Sequence, residues 1–314
     1  MSWKARAAQA LGNNLRDLLP QTALVAVATA DEDGYSVQLS DGCPADGRFE
    51  IGSITKTMTG AVLASLVDGG IVALDDEIGR WLDAGPNADI TVRQLATHTS
   101  GLPRLSPGHV LGAPDPYEFL TADVAEEELR RTLPKPRGAE HDYSNFGFQL
   151  LGLILERADG NPFGHLLQRA VLRPLGMSAT GLPGHVKGGT RITGHIRGVP
   201  AKPWSHHLWG AGGVEASAED MARYLVACLT PPDSAAGHAI RVARQAHFEI
   251  DPLRAAGLGW ALGPPGYLGH SGGTSGFRSM LGIKLTTRRA AAVFVNEHDA
   301  RGLPLAVRTS LDTP

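Results

Sequence analysis

Residues 49–60 read Phe-Glu-Ile-Gly-Ser-Ile-Thr-Lys-Thr-Met-Thr-Gly, and they place a serine and a lysine three positions apart at the start of an apolar helix. Because residues three apart share one face of a helix, the amine of Lys56 can reach the hydroxyl of Ser53 and activate it. Ser53 also precedes the first helical turn, where unpaired backbone N–H groups favour negative charge. The spacing alone is a weak signal, since a helix cap followed by a solvated lysine produces it too.

The helix after Ser53 is apolar around most of its circumference and stops at Gly69-Gly70. A helix of this kind is expected at the centre of a protein, with a glycine pair at its end. Lys56 would therefore be partly desolvated, which lowers the pKa of an amine and makes a neutral base available.

The composition indicates an ordinary globular protein. The chain has 314 residues, of which 42% are hydrophobic and 19% charged. Its formal net charge of -3 and pI near 6.5 do not indicate nucleic-acid binding. The first residues lack the continuous apolar core of a secretory signal, and no stretch is long enough to cross a bilayer. These features predict a cytoplasmic protein without a membrane partner. Cys43 and Cys228 have no metal-site spacing and are expected to be free thiols.

Strand patterns lie at both ends of the chain, in residues 23–28 and 35–39 and again from residue 279 to 295. Helical patterns dominate between them. The order strands, helices, strands predicts an α/β fold of the α+β type, in which an antiparallel sheet formed from both chain ends is flanked by helices.

The same order predicts the domain organisation. Residues 1–78 and 250–314 would form the sheet region, and residues 79–249 would be a mainly helical insertion. The two regions would make one catalytic unit with a cleft between them. A proline-bearing loop over residues 102–116 would overhang that cleft, because long loops in compact domains are often functional.

Two further stretches supply the groups that a serine nucleophile needs, namely a base, an orienting group and oxyanion donors. Tyr143 and Asn145 stand two apart at the start of a second buried helix, where both can face one cleft. Residues 268–274, Leu-Gly-His-Ser-Gly-Gly-Thr, place side-chain donors and an unobstructed glycine backbone at the head of a strand. His98, before the capping Gly101, is better explained as a structural residue than as a catalytic one.

Residues 269–273 also match the Gly-x-Ser-x-Gly elbow, which would make Ser271 the nucleophile. That elbow must lead into a helix, whereas Thr274 onward has the alternation of a strand. No histidine follows Asp299 to complete the elbow's triad. The sequence therefore favours Ser53 over Ser271.

Taken together, Ser53-Ile54-Thr55-Lys56, Tyr143-Ser144-Asn145 and His270-Ser271-Gly272 resemble the three signature motifs of the serine β-lactamase and penicillin-binding-protein superfamily, in their usual order. The resemblance is closest to the branch with class C β-lactamases, D-alanyl-D-alanine carboxypeptidases, D-aminopeptidases and related esterases. It extends to residues 95–103 and 174–177 and covers most of residues 49–295.

The resemblance implies an acyl-enzyme on Ser53, with Lys56 and Tyr143 sharing the proton transfers and neither identified as the base. It implies that the backbone N–H groups of Ser53 and Gly273 hold the oxyanion. Asn145 would orient Lys56 and the substrate. His270 and Ser271, with Gly272 beside them, would contact the substrate's polar end. It implies no metal and no organic cofactor, and the partner would be a small-molecule ester, amide or lactam.

Departures from the family pattern bear on the substrate. Position 270 is histidine where many β-lactam hydrolases have lysine, so this position offers no fixed positive charge at neutral pH. With the expected cytoplasmic location, this favours an esterase, amidase or acyl-transferring enzyme over a β-lactamase or D-amino-acid peptidase. A third possibility is a penicillin-binding sensor that stays acylated. Five aromatic residues could line an acyl pocket or belong to the core: Trp204, Trp209, Trp260, Tyr267 and Phe277.

Overall fold

The computed structural model describes residues 2–16, 19–108, 115–186, 188–205 and 207–312. Within these residues the helices are α1 (Trp3–Arg16), α2 (Thr55–Asp68), α3 (Val92–Ala96), α4 (Ala122–Arg131), α5 (Asn145–Asp159), α6 (Phe163–Leu167), α7 (Ala218–Leu229), α8 (Ala235–Ala243) and α9 (Leu303–Asp312). The strands are β1 (Val25–Asp31), β2 (Gly34–Leu39), β3 (Arg48–Glu50), β4 (Thr180–Gly181), β5 (His195–Ile196), β6 (Val199–Pro200), β7 (Glu215–Ser217), β8 (Phe248–Asp251), β9 (Arg254–Ala256), β10 (Ala261–Gly263), β11 (Tyr267–Gly273), β12 (Arg278–Lys284) and β13 (Arg289–Val295).

Eight strands form one antiparallel sheet with the order β2-β1-β13-β12-β11-β10-β9-β8. The N-terminal hairpin β1-β2 joins the C-terminal strands through β1 and β13, whose register pairs Val25 with Val295 and Ala30 with Ala290. The predicted antiparallel sheet built from both chain ends is thus confirmed. A smaller sheet, β3-β7-β4, lies beside it.

Both faces of the large sheet are covered at β1 and β13, which explains why these two strands are nearly continuous apolar runs rather than alternating ones. On β13, Ala290, Ala292 and Phe294 face the larger apolar core, which also contains residues of α2, α5 and α7. Ala291 and Val293 face the opposite side, where α1 and α9 pack. The flanking of the sheet by helices follows from this two-sided burial.

Helix α2 lies at the centre of the larger core. Eleven of its 14 residues are buried, including the polar Thr55, Lys56, Thr57 and Thr59. The hydroxyl groups are satisfied by backbone carbonyls: Thr57 donates to Ile54 over 2.8 Å and Thr59 to Gly210 over 2.8 Å. The sequence prediction that this helix is buried, and that it ends at Gly69-Gly70, is confirmed.

Side-chain caps mark the start of several helices. The capping box at Thr91 is present, with the Thr91 hydroxyl and the Gln94 side chain each satisfying the other's backbone N–H. Ser217 caps α7, and Ser144 caps α5. In the loop predicted over residues 102–116, residues 109–114 lie outside those that the structure describes. Cys43 and Cys228 are free thiols.

Gly60 allows α2 to pack closely against the segment before β10. A Cβ at this position would lie 1.9 Å from the carbonyl oxygen of Leu258, which is backbone and cannot turn away. At Gly69, which ends the same helix with φ -75°, the nearest atom to an added Cβ is 3.5 Å away. Alanine substitutions at these two positions therefore separate the effect of close packing from the effect of helix propensity.

We expect Gly60→Ala to lower the free energy of unfolding by about 1–3 kcal/mol or more, because the helix must move away from Leu258. Gly69→Ala should change it by less than about 0.5 kcal/mol. Denaturant midpoints followed by circular dichroism measure both effects. Equal midpoints for the two variants would show that the packing at Gly60 does not constrain α2.

Candidate active site

Ser53 lies in a single 3₁₀ turn, Gly52–Ile54, that runs directly into α2. Gly52 has φ +52°, and a Cβ there would lie 2.5 Å from the backbone nitrogen of Gly273. Only glycine fits this close approach, which brings the end of β11 against the turn that carries Ser53. The hydroxyl of Ser53 is thereby placed at the start of a helix, as the sequence predicted, and next to the 270–273 segment.

Lys56 is fully buried, and its amine contacts three oxygen atoms. The distances from Nζ are 2.9 Å to Ser53 Oγ, 2.8 Å to Asn145 Oδ1 and 2.6 Å to the carbonyl oxygen of Ala211. No carboxylate is among these partners. Burial, and then the charge of Arg104, hold the pKa of Lys56 well below its usual range. The neutral amine that the sequence predicted is therefore favoured.

The start of α5 positions Tyr143 and Asn145 on either side of the cap residue. The Ser144 hydroxyl accepts from the N–H of Gly147 over 2.8 Å and donates to the carbonyl of Pro103 over 2.6 Å. This capping ties α5 to the loop after His98. Asn145 projects from the first turn to Lys56, and Tyr143 lines the same cleft as Ser53. The two residues thus face one site.

The pKa of Tyr143 is raised to about 12, with burial as the main cause. The interaction with the Ser53 side chain and the charge of Arg104 act in the opposite direction but are outweighed. A neighbouring ammonium would lower the pKa of a phenol, but burial suppresses the charged forms of both Tyr143 and Lys56 and has the larger effect here.

The four residues His270, Ser271, Gly272 and Gly273 form an open edge. Strand β10 pairs only with Tyr267, Leu268 and Gly269 of β11, so in the described chain β12 is the one strand neighbour of the following four. A substrate can add to such an edge through backbone hydrogen bonds.

Ser271 lies within β11, which continues through a tight turn into β12. A nucleophile elbow would require a helix after it. The sequence preference for Ser53 over Ser271 therefore agrees with the local structure around each serine.

His270 is held to its own strand, since its Nδ1 lies 2.6 Å from the carbonyl oxygen of Ser271 and donates to it. Burial, and then the charge of Lys56, lower the pKa of His270 to about 4, although the Ser271 carbonyl acts to raise it. The residue is neutral at physiological pH, as the sequence indicated for position 270.

A cleft of about 820 Å³ brings these groups together. Its lining includes seven of the eight predicted site residues, Ser53, Tyr143, Asn145, His270, Ser271, Gly272 and Gly273, and Lys56 reaches it through Ser53. Sequence reasoning missed other lining residues: Arg104, Tyr117, Gln149, Ala211, Arg278, His298 and Arg301. Of these, Arg104 directly follows residues 95–103, which carry part of the family resemblance, and that position is the one signal the sequence offered.

Of the five aromatic residues considered for an acyl pocket, Trp204 lines the cleft and makes an edge-to-face contact with Tyr117 at 5.4 Å. Trp260 and Phe277 are buried in the larger core, and Trp209 packs against it. Tyr267 packs against the smaller core on the other side of the sheet. The pocket interpretation thus holds for one of them.

Histidine side chains do not form a metal site in the part of the chain that the structure describes, where no group of three or more potential ligands is suitably placed. His206 lies outside the described residues, and His207 instead contacts the carbonyl of Glu118. Among the described helices, none combines the length and apolarity needed to cross a membrane.

Comparison with known proteins identifies the family of this chain. A family model described as beta-lactamase matches residues 16–308. The chain belongs to the β-lactamase family. It is 31% identical over 258 residues to the D-alanyl-D-alanine-carboxypeptidase/endopeptidase AmpH of Escherichia coli (strain K12), covering 74% of this chain and 66% of AmpH. It is 29% identical over 202 residues to protein flp of Staphylococcus aureus (strain MRSA252), covering 59% of this chain and 39% of flp.

The chain thus spans about two thirds or less of the length of these relatives. The match of the β-lactamase family model includes every residue that lines the cleft and all three motifs that carry the resemblance. The family assignment predicted from the motifs is confirmed, and the fold is the β-lactamase-like fold that they implied.

The charge of Arg104 acts on Lys56, so Arg104→Gln is expected to raise the pKa of Lys56. Activity that needs the neutral amine is lost as the pH falls through this pKa. The acid limb of kcat/KM for p-nitrophenyl acetate, an uncharged ester, should therefore move to higher pH in this variant. Arg173→Gln, an exposed arginine outside the cleft, is the control and should leave the limb in place. A limb that stays or moves to lower pH in Arg104→Gln would contradict the electrostatic link.

Proposed function

We propose that this protein is a serine hydrolase that forms an acyl-enzyme on Ser53 from small ester or amide substrates. The observation that carries the proposal is the 2.9 Å contact between Ser53 Oγ and Lys56 Nζ, an amine whose charged form burial disfavours. A serine hydroxyl becomes an effective nucleophile when an adjacent base accepts its proton. In this proposal the Ser53–Lys56 pair takes part in both the acylation of Ser53 and the hydrolysis of the acyl-serine.

The hydrogen-bond inventory of Lys56 supports its role as the base. A neutral amine has two N–H donors and one lone pair. The Oδ1 atom of Asn145 and the carbonyl of Ala211 can only accept, so they use both donors. The lone pair is then left for the third contact, the hydroxyl of Ser53, which donates to it. The amine is oriented to take the proton from Ser53.

Tyr143 suits the complementary role. With a pKa of about 12 the phenol is protonated at neutral pH, so it is a donor rather than a base. In the proposed sequence, Ser53 Oγ attacks the carbonyl carbon and its proton passes to Lys56. The oxyanion is held by the backbone N–H groups of Ser53 and Gly273. The leaving alcohol or amine receives a proton from Tyr143, which is restored by Lys56, and water then hydrolyses the acyl-serine by the reverse path.

The sequence favoured an esterase, amidase or acyl-transferring enzyme, and a small neutral ester fits the uncharged interior of the site. The cytoplasmic location stays a prediction from the sequence. A sensor that is acylated but does not turn over shares the first half of this mechanism, and it is separated from a hydrolase by the fate of the acyl-serine.

A second candidate, a β-lactam or D-amino-acid peptide hydrolase, is favoured by the charge of the cleft. Position 270 offers no positive charge, but Arg104, Arg278 and Arg301 all line the cleft, and no Asp or Glu lines it in the described chain. Arginine side chains bind carboxylates well. For positive charge, the sequence argument against a carboxylate-bearing substrate considered position 270. The similarity to AmpH, a D-alanyl-D-alanine-carboxypeptidase/endopeptidase, supports the same candidate.

The first test compares Ser53→Ala with Ser271→Ala, the matched serine in the same cleft. We expect Ser53→Ala to lower kcat/KM for p-nitrophenyl butyrate by at least about 10³-fold and to abolish the covalent adduct seen by intact-mass analysis. Ser271→Ala should still form the adduct. Loss of the adduct in Ser271→Ala alone would reassign the nucleophile. A single stoichiometric adduct without turnover in the unaltered protein would identify the sensor.

The second test concerns the substrate's charge. A D-alanyl-D-alanine peptide with a free carboxylate should be hydrolysed with higher kcat/KM than its C-terminal amide, because the arginines attract the anion. Arg278→Gln and Arg301→Gln should each reduce this preference, while Arg173→Gln should keep it. If the acid and the amide are hydrolysed equally, or neither is hydrolysed while neutral esters are, the simple esterase is the better description.

A further inference from the structure

His98 stands out among the buried residues that the proposed chemistry does not use. It follows α3 and has a φ of +59°, a left-handed conformation that is uncommon for residues other than glycine. Strained backbone of this kind clusters at functional sites. Its side chain is buried, and both its imidazole and its backbone carbonyl accept hydrogen bonds from the segment that carries Tyr143.

Two backbone amides that flank Tyr143 both donate to His98. The N–H of Asp142 donates to the His98 carbonyl over 2.8 Å, and the N–H of Ser144 donates to Nδ1 of the imidazole over 3.1 Å. The backbone on each side of Tyr143 is thus fixed to one residue. The left-handed turn at His98 lets its carbonyl and its ring face the same segment.

The imidazole also packs against the phenol itself. Its centroid lies 4.4 Å from the Tyr143 ring and 4.8 Å from the Phe148 ring. Lys56 Nζ lies 5.1 Å from the Tyr143 centroid on the side of the site. A shift of Tyr143 would therefore require His98 to move, and Tyr143 has little freedom as long as His98 is in place.

The contact to Ser144 requires a particular form of the imidazole. Because Nδ1 accepts, the proton of the neutral ring must be on Nε2. Protonation would place a second N–H at Nδ1, facing the Ser144 N–H, and would remove the acceptor. Burial, and then the charges of Lys56, His270, His141 and Arg104, hold the pKa of His98 well below its usual range, which preserves the neutral form.

We propose that His98 is a positioning residue for Tyr143, and that its Nδ1 acceptor holds the phenol where it can exchange a proton between Lys56 and the leaving group. This inference rests on the role of Tyr143 in the proposed function. His98 touches no reacting atom. A misplacement of a catalytic group by about 1 Å can lower the rate about 100-fold.

Three substitutions of His98 separate the effect of the Nδ1 acceptor from the effect of the stacked ring. His98→Asn keeps an acceptor, since Oδ1 is bonded to Cγ as Nδ1 is, and asparagine tolerates the left-handed conformation. His98→Phe keeps a ring for stacking but leaves the Ser144 N–H without its partner. His98→Ala lacks both. His141→Asn is the matched control: this exposed imidazole lies two residues before Tyr143 and 5.6 Å from that of His98, but its side chain has no described hydrogen bond to the Asp142 or Ser144 backbone.

The measurement is the hydrolysis of p-nitrophenyl acetate, with kcat expressed per Ser53 that intact-mass titration shows to be acylated. We expect kcat to fall about 10- to 100-fold in His98→Phe and His98→Ala, with KM within about threefold of the unaltered value. His98→Asn should retain kcat within about fivefold, and His141→Asn should retain it fully. Normalising to acylated sites removes any loss that comes from misfolded protein.

The proposal is overturned if His98→Phe turns over as fast as the unaltered protein, or if His98→Asn is as slow as His98→Ala. It is also overturned if the losses vanish after normalisation, which would make His98 a stability residue only. Failure of the proposed function gives a different result, namely no adduct on Ser53 in the unaltered protein. If Tyr143→Phe loses turnover and His98→Ala does not, the function stands and this inference fails.

Discussion

The burial of the Lys56 amine is the constraint on which the rest of the site depends. Removing an amine from water is unfavourable unless its hydrogen-bonding groups are satisfied, and a charged one would also need an anion. Lys56 has no carboxylate partner, so the fold supplies three oxygen atoms from three separate parts of the chain: Ser53, Asn145 and Ala211. The start of α2, the start of α5 and the loop before β7 must therefore meet at one point.

This requirement explains features that would otherwise be unrelated. Helix α2 is apolar nearly all round, so its one lysine is enclosed by the core instead of reaching solvent. The Ser144 cap sets where α5 begins, and hence where Asn145 points. The glycine at position 52 lets β11 approach the Ser53 turn, so that the backbone of residues 270–273 borders the same amine. Each of these local features helps to bring the site residues together around Lys56.

The sequence predicted the parts of this arrangement that leave a side-chain pattern. The spacing of Ser53 and Lys56 defines one helix face, Tyr143 and Asn145 stand beside a capping serine, and the alternation after Thr274 identifies a strand. These signals depend only on local geometry. They gave the family, the sheet and the members of the site without knowledge of how the segments pack.

What the sequence could not supply depends on packing. The Ala211 contact is made by a backbone carbonyl, which has no residue signature. Arg278 and Arg301 reach the cleft from β12 and from the segment before α9, and neither belongs to one of the three motifs. The pKa of Tyr143 is raised mainly by burial, which is a property of the assembled fold. Likewise, the sequence around His98 indicates only the end of a helix. The contacts of His98 in the folded protein show that it binds the segment that carries Tyr143.

The interior of the site holds neutral groups, whereas the positive charges lie at its rim. This division explains how a neutral histidine at position 270 is compatible with anion binding. Inside, Lys56, His98 and His270 all have lowered pKa values and favour their neutral forms. The arginines lie at the cleft wall, and Arg104 is 4.9 Å from the Tyr143 ring. A lysine at 270 would bring a second amine towards Lys56, and each would disfavour the other's charge. A neutral His270 leaves anion attraction to the arginines, and burial together with the charge of Arg104 keeps the pKa of Lys56 low without a second amine at position 270.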